Sequence, residues 1–342
     1  MSGTAAQQSP IGNGSFQQRE LTATITLGKG EFGDTGFNTV TLSGLRASAT
    51  IHKSGTPSMD TAEMRVYGVE PSVMNAVSDL GVPAPFLRLN NTLLIQAGDP
   101  VNGMTTVFGG YLQYAWQNFD EMPETMLQMT AYGGTAAAVL PVPPISFPGG
   151  ADVATIMSGL ATQMGLVFEN NGVQVQLSSP YFAGTALQQA QKCAKAANIE
   201  MYIDTGTACL GTSPNGTAEP IKTVLGTLAI WPKSGTRGGT IPQISAASGM
   251  IGYPRWFNSG MEFRTLFNPS VRVGGVINME SSLGTGVVYQ NPALPKPEQV
   301  LAGGPNGRWY VNGPVVHDLS AQMPGGPWMT EARCTRTLTG TV

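Results

Sequence analysis

The chain has 342 residues, 41% hydrophobic but only 11% charged, against about 25% charged in an ordinary globular protein. Lys+Arg 18 and a formal net charge of −3 supply no basic stripe for phosphate binding, and Gly 44 with Pro 25 lacks the G-X-Y period of collagen. No apolar run approaches eighteen residues, which excludes a transmembrane helix and leaves no membrane partner. Residues 1–18 are polar, without the basic and apolar regions of a signal peptide, and are expected to form a flexible N-terminal arm. From Leu21 the residues alternate: Leu21, Ala23, Ile25 and Leu27 against Thr22, Thr24 and Thr26. Leu45 to His52 and Ala62 to Tyr67 repeat the pattern, the period of a sheet with one buried face.

Pro71 suits the first helical position, and Val73, Val77 and Leu80 would line a short helix stopped by Gly81. Strands are expected again at Leu87 to Leu89, Leu93 to Ala97, Val107 to Trp116 and Met126 to Ala131. Six or seven strands with one lateral helix predict a closed or nearly closed barrel over 19–139. The stretch LPVPPISFPGG, residues 140–150, reads as a stiff linker.

The segment 151–235 changes character. Asp152 caps a helix with the stripe Val153, Ile156, Leu160 and Met164, ending at Gly165. Strands at Val167 to Glu169 and Val173 to Leu177 are expected to form a hairpin across Asn170-Asn171-Gly172. Thr185 with Gln188 makes a capping box for a second helix whose buried side is Leu187, Ala190, Ala194 and Ala197. Met201 to Asp204 and Thr227 to Trp231 then form a hairpin with an extended loop, 205–226. The unit is a small α+β domain. Within 236–342 strands return at Met261 to Phe267, Val271 to Met279, Val287 to Tyr289, Trp309 to Leu319 and Met329 to Cys334, interrupted by the loop 291–307. The strand density predicts a second barrel-like domain. The fold class is mainly β with an α+β insertion.

No residue set makes a catalytic, cofactor-binding or metal site. His52 takes the outward parity of its strand. His317 and Asp318 are adjacent and so point to opposite faces, which argues against joint acid–base work. Two histidines with Cys193, Cys209 and Cys334 lack metal-ligand spacing; the odd cysteines suit free thiols in a reducing compartment, though one pair could meet in space. No G-x-S-x-G elbow is present. Asp120, Glu121 and Glu124 read as a solvated acidic loop rather than a glycosidase pair, and Gly28, Gly30 and Gly33 lack the Lys-Ser/Thr ending of a phosphate loop. Met64, Met126, Met129, Met261 and Met279 lie in strands as core residues. Trp116, Trp231, Trp256, Trp309 and Trp328 could line a sugar groove but read more simply as core or interface aromatics. A surface so poor in charge is weakly defended against association, which suits burial by partner subunits.

The stretches GFNTVTLSGLRASATIHKSG (Gly36 to Gly55), PSMDTAEMRVYGVEPSVMN (Pro57 to Asn75), SFPGGADVATIMSGLATQMGLVFENNGVQVQLSSPYFAGTALQQAQ (Ser146 to Gln191), GTLAIWPKSG (Gly226 to Gly235) and GMIGYPRWFNSGMEFRTLFNP (Gly249 to Pro269) resemble the baseplate hub proteins of contractile-tailed bacteriophages. The resemblance implies two tube-like β-barrel domains flanking the α+β domain. It implies a homotrimer whose pseudo-hexameric ring adapts the sixfold tail tube to the threefold central spike, with DNA passing through the lumen unread. Partners implied are the spike, tail tube or tube-initiator proteins, other baseplate components and a tape-measure contact; the location implied is the virion baseplate, after assembly in the host cytoplasm. The loops 205–226 and 291–307 depart from the family and suit phage-specific contacts. Another tail-tip ring or tube-initiator protein is the alternative; a cell-wall hydrolase lacks both residues and spare length.

Overall fold

The computed structural model describes residues 18–33, 36–55, 58–78, 91–120, 124–209, 224–257, 260–281 and 305–336. The N-terminal strands are β1 (Glu20–Thr26), β2 (Thr39–Leu42), β3 (Ala47–Lys53), β4 (Thr61–Tyr67), β5 (Thr92–Asp99), β6 (Gly103–Asn118) and β7 (Met126–Tyr132), with helices α1 (Pro71–Val77) and α2 (Thr135–Val139). Period-two alternation produces them: in β4, Ala62, Met64 and Val66 are buried while Glu63 and Arg65 are exposed. α1 buries Met74 and Val77, with Val73 only partly covered; the expected Leu80 and Gly81, and the strand at 87–89, lie outside the described residues.

The middle segment contains β8 (Ile145–Ser146), β9 (Gly150–Asp152), α3 (Val153–Met164), β10 (Val167–Asn170), β11 (Gln176–Ser178), β12 (Tyr181–Phe182), α4 (Ala186–Ala197), β13 (Ile199–Asp204) and β14 (Thr227–Pro232). The proline-rich stretch is not free chain, since β8 pairs with β12 and β9 with β11. Both expected caps form. Asp152 accepts from the Thr155 amide, and Gly165 closes α3 in the left-handed region at φ 70°. Thr185 and Gln188 complete the reciprocal box. On α4, Gln189 and Cys193 are buried beside Ala190, Ala194 and Ala197, and Leu187 is only partly covered; Gln189 donates to the carbonyls of Pro143 and Gly184.

The hairpin expected across Asn170-Asn171-Gly172 does not form. β10 runs parallel to β14, while β11 pairs with β9. Asn170 explains the divergence: its side chain accepts from the Val173 amide and donates to the Val173 carbonyl. The turn is thereby closed locally, and the two flanking strands leave for different partners. The second hairpin, β13 with β14, forms as expected, and its loop begins with a 3-10 turn at Thr205–Thr207 and a bridge between Cys209 and Val224.

The C-terminal strands are β15 (Gln243–Ile244), β16 (Arg255–Phe257), β17 (Gly260–Leu266), β18 (Val276–Met279), β19 (Gly307–Tyr310), β20 (Val315–Ala321) and β21 (Trp328–Arg336). Residues 271–275, expected as strand, instead form turns. Gly274, at φ +81°, packs where a Cβ would meet the Trp231 ring, and such a backbone cannot continue a ladder. The strand expected at 287–289 and most of the loop 291–307 lie outside the described residues.

The two strand groups are joined. β3 pairs antiparallel with β20 over all seven residues, Ala47↔Ala321 to Lys53↔Val315. The result is one 14-stranded sheet in the order β15-β18-β19-β21-β20-β3-β4-β7-β6-β5-β1-β2, with β17 on β21 and β16 on β17. No pairing closes either group into a separate barrel among the described residues. Long β6 serves two layers: its first half pairs with β5, its second with β7, and register shifts interrupt both ladders, as bulges do where a strand bends.

Three cores result. The first is built from β1 to β7 and α1 with Leu319 and Ala321, the second from α3, α4 and the adjoining strands, and the third around Trp309, Phe263 and Ile277. The β13–β14 ribbon separates the last two. Met201, Leu228 and Ile230 face the helices, whereas Tyr202, Ala229 and Trp231 face the C-terminal core. The α+β unit is therefore a wall of its neighbour.

Candidate functional site: a buried charge cluster between the cores

β3 and β20 run side by side into the place where the middle segment packs. Lys53 ends β3, Asp60 precedes β4, His317 lies in β20, Asp204 ends β13, Glu169 lies in β10 and Arg237 in the turn after β14. Each of Lys53, Asp60, Asp204, Arg237 and His317 is at most 4% exposed. Charges removed from water this fully persist only when paired and hydrogen-bonded.

The pairing is complete for the cations. Arg237 donates to Asp204 at 2.6 Å and forks onto Glu169 at 3.0 and 2.7 Å. Lys53 Nζ lies 3.4 Å from Asp204 Oδ1, and the Gly206 amide donates to the same oxygen. Burial pushes the Asp204 carboxyl up, but Lys53 and Arg237 outweigh it and hold the group well below the usual carboxylate range. Glu169 is lowered likewise: Arg237 overcomes the effect of burial. Burial also works against the Arg237 guanidinium, which Glu169 and Asp204 keep raised.

Asp60 accepts from the Tyr202 hydroxyl at 2.9 and 2.8 Å, from Thr205 at 2.7 Å and from the Ser54 amide at 3.2 Å. Burial nevertheless raises it to about 6 against the pull of Lys53 and these donors. Gly133 permits the contact, because a Cβ there would strike Thr205. Gly109 of β6 similarly leaves room for Ala208. The chain after β13 thus lies directly on the first sheet.

His317 is held by Thr330, 2.9 Å from Nδ1. Thr330 Oγ1 also accepts from the Asn268 amide. Nε2 has no hydrogen-bond partner among the described residues. Burial, with Lys53 adding to it, pulls His317 down to about 3, so the ring is neutral.

The other residues singled out in the sequence do not join this cluster. His52 is exposed on the face opposite Ile51. Asp318 takes the face opposite His317 and accepts from Thr50 at 3.4 Å. Asp120 is exposed and Glu124 pairs with Arg46 at 2.6 Å; Glu121 lies outside the described residues. Gly30 and Gly33 occupy positive-φ positions in the loop after β1. The five methionines are buried. Trp231 and Trp309 are buried, Trp256 stacks edge-on to Trp309, and Trp328 meets Phe267, whereas Trp116 lies far along the sheet on β6; they line no common groove. Cys193 and Cys334 are buried, with thiols pushed up by burial to about 11 and about 12, and Cys209 is exposed. No group of three metal-ligating side chains occurs among the described residues. The cluster of paired charges fixes β3, β10, β13 and the segment after β14 to one another.

The fold and this charge cluster define a scaffold in which one β ladder joins three cores. Residues 233–291 match the family model described as baseplate hub gp41. The whole fold is similar to the crystal structure of a tail protein from Neisseria meningitidis MC58, with TM-score 0.53, 7% identity and coverage of 92% of this chain and 96% of that one. It is also similar to the 43 kDa tail protein of prophage MuSo2 from Shewanella oneidensis, with TM-score 0.50, 8% identity and coverage of 94% and 97%. No curated protein sequence matches the chain. At such identities the structural likeness is one of fold. With the family match it bears out the resemblance to a baseplate hub and supports a structural role in a phage tail baseplate.

Proposed function

We propose that three copies of this chain close into a pseudo-hexameric ring that joins the sixfold tail tube to the threefold central spike. The β3–β20 ladder carries the reading, because it already sets two strand groups of one polypeptide side by side as successive segments of a wall. Through it runs an eight-strand stretch, β16-β17-β21-β20-β3-β4-β7 and the second half of β6. Three copies give twenty-four strands, and at about 4.8 Å per strand the circumference is about 115 Å. That corresponds to a ring about 37 Å across before strand tilt widens it, room for a nucleic-acid duplex.

The exposed face of the stretch suits such a lumen. Thr50, Glu63, Arg65, Thr130, Asp318 and Arg264 all lie off the buried parity, and its ion pairs, Arg264–Glu331 and Arg333–Glu262, are internally compensated. A wall without net positive charge lets DNA slide without holding it. The three cores support a division into tube-like domains at 19–139 and 236–342 with the α+β unit at 151–235. The loops at 205–226 and 291–307 are assigned to spike, tube, tube-initiator or tape-measure partners, in a baseplate assembled in the host cytoplasm. The role is non-enzymatic, and turnover of murein by the pure protein contradicts that part. Solution mass tests the ring: a trimer, alone or with its spike, is expected, and a protein that stays monomeric beside spike and tube proteins overturns it.

A further inference from the structure

The eight-strand stretch has two rims, and both carry apolar side chains in water. At the β6 rim Tyr114 is 50% exposed, Trp116 36% and Phe119 50%; among the described residues Ala115 to Asn118 ladder with β7 alone. At the far rim, where Gly249 to Phe257 flank β17, Ile251 is 42% exposed and Tyr253 64%, beside a cleft of about 260 Å³ lined by Ile251, Tyr253, Arg255 and Glu262. Each rim also carries an exposed charge of opposite sign, Asp120 on one and Arg255 on the other. Neither is in an ion pair among the described residues.

We infer that the Trp116–Asp120 rim of one copy docks against the Ile251–Arg255 rim of the next, with Phe119 and Trp116 filling the cleft and Asp120 meeting Arg255. The inference rests on the ring proposed above and names the surfaces that close it. Two different patches at opposite ends of one ladder make a heterologous contact, the kind that generates rings rather than twofold dimers. Register gives a further condition. In flat rows Leu266, and with it Gly249, lies level with Met329, Asp318, Thr50, Glu63, Thr130 and Tyr114; Arg255, opposite Glu262, and Asp120 fall on opposite sides of that row, about ten residues apart. Barrel strands are staggered by about one residue each, so eight strands shift the rims by about eight residues. The contact requires the sense of tilt that carries Tyr253–Arg255 toward Trp116–Asp120.

Charge reversal tests this on the full chain, with the monomer–trimer midpoint read by sedimentation at low salt. Asp120→Arg and Arg255→Asp are each expected to raise the midpoint at least tenfold, and the double variant to return it to within about threefold of the natural chain. Tyr253→Ser, which touches no ion pair, should also raise it. Unchanged midpoints in the single variants, or a double variant worse than either, overturn the interface while leaving the trimer intact. A natural chain that shows no trimer, or one that forms twofold dimers, overturns the ring reading and this interface together. Circular dichroism of each variant is expected to match the parent, since both charges stand in solvent.

Discussion

Asp204 is the residue on which the charge cluster turns. It meets Lys53 of the first strand group and Arg237 after the ribbon, and its removal leaves two buried cations with one partially exposed carboxylate between them. Asp204→Ala is expected to cost about 3–5 kcal/mol, read as a lowered denaturant midpoint; a loss below about 1 kcal/mol contradicts the pairing. pH acts through its neighbours. His317 is neutral in the fold and lies at about 3 against an ordinary value near 6.5, so acidification below 6.5 favours the unfolded chain. Asp60 lies at about 6 against about 3.9, so the fold takes up its proton first and acidification through 6 favours the folded chain. The two nearly cancel between pH 6.5 and 5. His317→Leu leaves Asp60 alone, and stability should then rise by about 1 kcal/mol over that interval. Denaturation at a series of pH values checks the slope, and a variant that loses stability there contradicts the assignment.

At the scale of elements, strands and helix starts were legible because each is written in a few adjacent residues. The alternation of Leu21 to Leu27, the Asp152 cap and the Thr185–Gln188 box need no distant partner. Thr185→Ala is expected to lower stability by about 1 kcal/mol, measured by thermal melting, with no effect if the box is merely solvated. The Asn170 turn was misread because an Asn-Gly signal reports a turn and not the destination of its strands; the partner of β10 lies sixty residues on, in β14. The charge cluster was barely legible. Lys53 and Asp204 are 151 residues apart and Asp60 and Tyr202 are 142 apart, and nothing local distinguishes Asp60 or Asp204 from surface charges. The weak signal was parity: Lys53 follows His52 and so falls on the buried face with Ile51, where an unpaired lysine has no business without a carboxylate to meet it.

For the whole molecule, the sequence pointed to two sheet domains and a small α+β unit, whereas the first core takes in Leu319 and Ala321 and the third takes in Tyr202, Ala229 and Trp231. It did not reveal that β3 and β20 merge the two into one ladder, because strand pairing across 260 residues leaves no periodic trace. That merger matters mechanically. A joint made of seven consecutive residue pairs, braced from behind by the Lys53–Asp204–Arg237 contacts, gives the two halves little freedom to rotate against each other, as the proposed ring requires. The joint also removes two edges that would otherwise be open to stray pairing, leaving the rims for neighbours. Electron cryomicroscopy of the assembled tail tip tests the claim most directly. The account predicts three copies around the axis with the β3–β20 ladder in the channel wall and Thr50, Glu63 and Asp318 facing the lumen; a different copy number, or that ladder turned away from the channel, contradicts it.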